Sequence, residues 1–218
     1  MTHESRVVDR PEWRCRGGFA GPHSLGSGLR VPLVPGVVPT GTSTLSHLAE
    51  RQALIARAVA DIGVTERGEN WGPRIQEYLA TIGLSAPQPW CLAAIMTWGR
   101  EALGERWPCP LTGWTPALGL WASRHKVLRR VPAIGVIVLV WSARKKRFHH
   151  AGVGLGPTQG DQLSSVWETI EANSNTDGSA NGTMVVRRNR TFGAQDRMVY
   201  WWEAIYDGES TTPEGPAV

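Results

Sequence analysis

The chain has 218 residues, 41% of them hydrophobic, and a formal net charge of +4 at pH 7. A chain of that length buries a core without disulfide staples, and its three cysteines make no even disulfide framework. The longest apolar run, Ile134 to Trp141, is far too short to span a bilayer, and no nucleic-acid-binding motif accompanies the mild basic balance.

In chain order, residues 1–45 are rich in Gly, Pro, Ser and Arg without sustained periodicity. Pro32, Pro35 and Pro39 with Gly36 and Gly41 read as an extended, irregular segment. Residues 1–30 hold scattered charge and no continuous apolar stretch, so no signal peptide is expected there. Ser46 is placed to cap a helix with Leu48, Ile55, Val59 and Ile62 on one face, ended by Gly63. Ile75, Tyr78, Leu79 and Ile82 mark a second helix, stopped by Gly83. A third follows Gln88-Pro89-Trp90-Cys91, with apolar or small residues at 94, 95, 98 and 102. Thr115 to Lys126 predicts a fourth.

The texture then changes to β. Gly135–Trp141 is a β-branched, apolar strand, and Arg144-Lys145-Lys146-Arg147 is the turn into a strand over His149–Leu155. Strands near 164–172, 183–189 and 197–206 follow, with Gly/Asn/Asp-rich loops between them. Helices first and an antiparallel sheet after is an α+β layout in one domain over 46–206, with a polar tail at 207–218. Most of the eleven tryptophans are expected in the core. Trp71, Trp90 and Trp114 fall in loops or at element starts and are candidates for lining a substrate groove.

Chemistry concentrates at Cys91. In the first turn of a helix, the helix dipole and free backbone N–H groups favour thiolate over thiol. The thiolate's candidate base lies in Phe148-His149-His150-Ala151-Gly152-Val153, and Trp167-Glu168-Thr169-Ile170-Glu171-Ala172-Asn173 supplies polar groups behind it. Strand alternation puts Glu171 and Asn173 on one face and gives Glu168 the opposite parity. It also sends His149 and His150 to opposite faces, so the pair is not expected to hold a metal. Cys15 and Cys109 belong to no CxxC or ligand spacing, and no cofactor is expected.

Four stretches in this order resemble CHAP-type cysteine amidases and peptidases, within the papain-like peptidoglycan hydrolases that include phage endolysins. They are Gly68-Glu69-Asn70-Trp71-Gly72-Pro73-Arg74, Pro89-Trp90-Cys91-Leu92-Ala93-Ala94, His150-Ala151-Gly152-Val153-Gly154 and Thr169-Ile170-Glu171-Ala172-Asn173-Ser174-Asn175. A run over Gly182–Arg190 resembles the family's ending, and the likeness spans roughly residues 46–206. Two departures are visible. His149 stands where the family usually has Gly before its histidine, and Pro132-Ala133-Ile134-Gly135 replaces a Pro-Gly-Asp turn.

The resemblance implies a papain-like fold with the nucleophile Cys91 at a helix N-terminus. It implies His150 as general base, with Glu171 or Asn173 orienting the imidazole, and places Glu69 and Asn70 near the cleft, where Asn70 joins Trp90 and Trp71 as a candidate substrate contact. It implies acyl transfer on a peptide or amide bond of peptidoglycan, without naming the bond. On that reading the protein is bacterial or phage-encoded, cytoplasmic until release, and partnered by other lysis proteins. An antibacterial effector with an immunity protein, and a catalytically inactive wall-binding module, are the alternatives that the same residues leave open.

Overall fold

The computed structural model describes residues 47–158, 166–176 and 182–205. The irregular segment 1–45, the Ser46 cap, Cys15 and the tail 207–218 lie outside the described residues. Among the described residues four α-helices come first: α1 Leu48–Ala60, α2 Pro73–Thr81, α3 Cys91–Leu103 and α4 Thr115–Arg124. Six strands follow: β1 Leu128–Arg129, β2 Ile137–Ser142, β3 Arg147–Pro157, β4 Trp167–Ser174, β5 Met184–Arg190 and β6 Arg197–Val199. They form one antiparallel sheet in the order β1-β6-β2-β3-β4-β5. The protein is α+β, with its helices ahead of its sheet in the chain.

The central element is α3. Every residue from Cys91 to Gly99 is buried, as a helix apolar on all sides must be. It packs on α1 and α2 and, through other faces, on β3 and β4. Gly99 makes one of these contacts close: a Cβ there would stand 2.3 Å from the Trp107 ring. Below α3, Trp98 stacks edge-on with Tyr78, whose other neighbour is Trp90. Trp90, Trp98, Trp167 and Trp201 are fully buried, as most tryptophans were expected to be.

Local predictions meet mixed outcomes. The second helix ends as expected, with Gly83 at φ +77°, a left-handed geometry that glycine adopts without strain. The first helix is rotated from its predicted face. Leu54 and Ala58 are its buried residues, whereas Leu48, Val59 and Ile62 are each more than a third exposed. The small Ala58 and the Leu54 one turn before it share the contact stripe, which a count of large apolar residues misses. The basic turn covers residues 143–146, and Arg147 already pairs with Ser142 as the start of β3. The strand expected over 197–206 is only three residues long and gives way to a 3-10 turn, Trp201–Ala204. The two-residue β1, which pairs with β6, had no sequence signal.

Two breaks in the ladder shape the functional end of the sheet. Between β2 and β3, Val140 pairs with His150 and Trp141 with Phe148, so His149 is an extra, unpaired residue. Between β4 and β5, Glu171 pairs with Val186 and Ser174 with Met184, and Asn173 sits at φ 52° inside that gap. Both are bulges, which re-aim side chains where a sheet would otherwise alternate. Among the described residues, no helix is long and apolar enough to cross a membrane.

Candidate active site

A cleft of about 670 Å³ opens where the N-terminus of α3 meets β3, β4 and β5. Cys91 lines it as the first residue of α3, after the Pro89-Trp90 segment. No side chain caps this helix start, so its dipole and first N–H groups are left to act on the thiol. Burial by itself pushes the Cys91 thiol up. The hydrogen bond and charge of His150, with the backbone N–H groups of Ala151 and Leu92, outweigh it and hold the thiol below its ordinary value.

His150 is almost buried, at 14% side-chain exposure, and its Nε2–H donates to Glu171 Oε2 at 2.9 Å. A carboxylate only accepts, so Nε2 carries the proton and Nδ1 is the nitrogen left for Cys91. Burial disfavours the imidazolium. The hydrogen bonds to Cys91 and Glu171 overcome that penalty and raise His150 to about 9.

Behind the imidazole, Glu171 is 1% exposed and saturated with donors. Thr169 Oγ1 donates to Oε1 at 2.9 Å, Ser174 Oγ to Oε2 at 3.2 Å and Arg190 Nη2 to Oε2 at 2.8 Å, while Arg190 Nε also bonds Oε1. Arg188 Nη1 stands 3.7 Å from Oε2. Burial would raise this carboxyl, but His150 and Arg190 hold it well below the usual carboxylate range. Gly152 makes the arrangement sterically feasible: a Cβ there would meet Glu171 Cγ at 2.9 Å. The Ala-Gly-Val-Gly run after His150 therefore has a packing reason.

Asn173 is not where strand alternation puts it. It lines the cleft, but its amide bonds to the segment that carries Cys91 and not to His150. Its Oδ1 accepts the Trp90 N–H at 3.3 Å, and its Nδ2 donates to Gly182 O at 2.6 Å and, at 3.4 Å each, to Glu66 Oε1 and Asn70 Oδ1. Glu66 closes the network by accepting from Trp90 Nε1 at 2.8 Å and from the Asn70 N–H at 3.0 Å. Asn70 and Trp90 thus fix the backbone that presents the thiol. Trp90 is fully buried, and neither it, Trp71 nor Asn70 lines the cleft; direct substrate contact through these three is not what the geometry provides. Trp114, 60% exposed, does line it.

Replacing Asn173 by Ala is accordingly expected to cost about 1–3 kcal/mol of stability through orphaned buried partners, with additional strain at φ 52°. Asn173→Gly relieves the strain without restoring the hydrogen bonds. Urea unfolding midpoints should therefore rank wild type above Gly and Gly above Ala. An Ala variant as stable as wild type would refute the anchoring role.

The bulge at His149 also corrects the expectation of opposed histidines. Both rings line the cleft, 6.4 Å apart between centroids. They are not equivalent. His149 Nδ1–H donates to Val140 O at 3.2 Å and reaches no carboxylate. Burial, then the charge of His150, lowers its pKa. Glu168, of opposite parity, faces outward and pairs with Arg187 at 2.9 Å. Cys109 is buried away from the cleft, and burial pushes its thiol up. Among the described residues no group of three or more His, Cys, Asp or Glu is placed to hold a metal ion.

Sequence reasoning missed Glu66, Arg188 and Arg190. The arginines had a readable signal: they share parity on one strand, and a buried carboxylate requires a cation. Glu66 has one local partner, the Asn70 N–H four residues on, which marks only a turn; the Trp90 and Asn173 side chains that tie it to the site are 24 and 107 residues away. No family model, curated protein or solved structure matches the chain.

Proposed function

We propose that the protein is a cysteine-dependent hydrolase of the CHAP type, with a papain-like fold, cutting a peptide or amide bond of peptidoglycan. The observation that carries the reading is the line Cys91–His150–Glu171: a thiol at an uncapped helix start, an imidazole on the adjacent strand, and a buried carboxylate on its far nitrogen. That is the nucleophile, base and orienting group of thiol catalysis, on separate elements that hold them in place. Peptidoglycan as substrate rests on the four-motif resemblance.

In this mechanism Cys91 and His150 rest as thiolate and imidazolium. The thiolate attacks the carbonyl carbon, and the electron pair of the carbonyl moves to its oxygen. Backbone N–H groups at the uncapped start of α3 help stabilise that oxyanion. The tetrahedral species collapses, His150 Nδ1–H protonates the departing amine, and a thioester remains on Cys91. Neutral His150 then takes a proton from water, hydroxide adds to the thioester, and Cys91 leaves as thiolate. Glu171 keeps the ring oriented throughout.

The test is incubation of purified sacculi of several wall chemotypes with wild type and with Cys91→Ala, soluble products being read by mass spectrometry. New fragments from wild type alone are expected, and their masses name the bond. Fragments from both proteins, or from neither, would remove the reading.

A further inference from the structure

The walls of the cleft differ in kind. One is apolar and exposed: Leu84 at 39%, Leu111 at 45% and Trp114 at 60%. The other, from the β2–β3 hairpin and β5, carries Lys145, Arg147, Arg188 and Arg190. Arg188 and Arg190 are committed to the Glu171 cluster. Lys145 and Arg147 are not. Both are exposed, and neither forms an ion pair among the described residues; Arg147 Nη1 donates only to the Phe148 carbonyl, at 3.3 Å. Among the described residues no Asp or Glu lines the cleft, and Glu171 lies buried behind His150. The hairpin places two cations, without an ion-pair partner among the described residues, at the rim of the cavity that contains Cys91, where an apolar patch also lines the cleft.

From these facts, and resting on the hydrolase reading above, we infer that the cleft selects amides that carry a free carboxylate beside the scissile bond, held by Lys145 and Arg147. Arg147 offers a planar fork suited to a carboxylate, and Lys145 a mobile point charge. The apolar wall receives the uncharged side of the same substrate. Paired cations of one sign within a low-dielectric cleft concentrate an anionic ligand and lose that advantage in salt.

Two measurements test this independently. In the first, Cys91 is alkylated by iodoacetate or by iodoacetamide, and modification of the Cys91 peptide is followed by mass spectrometry. Thiolate content affects both reagents alike, so the iodoacetate-to-iodoacetamide rate ratio reports the cleft's preference for a carboxylate. The ratio is expected to fall roughly five- to tenfold in Lys145→Gln/Arg147→Gln, and in wild type to fall as salt rises. In the second, sacculi are compared before and after carbodiimide-coupled amidation of their carboxylates. Wild type should release fragments faster from untreated sacculi, and the double variant should lose that preference. A ratio unchanged by the double substitution, or equal digestion of the two sacculi by wild type, overturns the inference and leaves the hydrolase reading intact. A wild type that digests neither sacculus while its alkylation ratio falls as expected overturns the hydrolase reading and leaves the carboxylate site standing.

Discussion

Cys91→Ala and His150→Ala are each expected to lower kcat by on the order of 10⁶-fold, and the double variant to be no worse than either. The non-additivity follows from shared work. Without the thiol there is nothing for the imidazole to serve; without the imidazole neither the resting charge pair nor the proton for the leaving amine exists. His149→Ala, by contrast, removes a ring whose one hydrogen bond is to the Val140 carbonyl, and its effect should stay within about tenfold. If His149→Ala is the more damaging, the base has been assigned to the wrong neighbour.

The pH profile separates nucleophile from acid. The Cys91 thiol is held below its ordinary value, and His150 is raised to about 9. Turnover needs thiolate and imidazolium together. It should therefore rise as Cys91 ionises, below the ordinary thiol range, and fall as pH passes about 9 and His150 loses its proton. Alkylation of Cys91 by iodoacetamide needs only the thiolate, so it should not fall on the alkaline side. A stability effect accompanies the titration of His150. Its folded value lies above the ordinary 6.5, so the stabilisation drawn from its partners is complete below about pH 6.5. It is lost as pH climbs through about 9.

Legibility in the sequence tracked how local each cause is. The helix starting at Cys91 was readable because Pro89 and the apolar period lie within a dozen residues. Glu171 was readable because β4 alternates regularly up to that point. Asn173 was misplaced by the same rule: alternation assumes an unbroken ladder, and the bulge after Glu171 that turns Asn173 is set by tertiary partners, Gly182, Glu66 and the Trp90 N–H. The histidines were misread for the same reason, since the unpaired His149 puts both rings in one cleft. Trp90 was offered to substrate because it sits beside the nucleophile in sequence. Its ring instead stacks on Tyr78 and donates to Glu66, contacts invisible in a linear reading. The rotation of α1 belongs here too: small residues mark a packed face as surely as large ones do.

The orienting carboxylate gives the second large effect, and there stability and catalysis pull apart. Glu171→Gln keeps the shape of the side chain but removes its charge. The amide can present its oxygen or its NH₂ to His150, so the imidazole no longer has a single favoured tautomer, and the imidazolium loses its counter-ion. A loss of roughly 10³–10⁴-fold in kcat is expected, the scale seen when the orienting acid of a triad is neutralised. The same change strands Arg190, whose guanidinium is 19% exposed and was held by both carboxylate oxygens. Leaving one partner of a buried ion pair costs about 3–5 kcal/mol. Adding Arg190→Met removes the stranded charge. Chemical denaturation should then show the double variant recovering most of the lost stability, because replacing both partners by groups of similar volume is often near neutral. Its kcat should recover nothing, since the counter-charge to His150 is still missing, and the alkaline limb of the pH profile should move to lower pH in both variants. Recovery of activity along with stability would mean that Glu171 and Arg190 serve the fold alone and that His150 is oriented by something else.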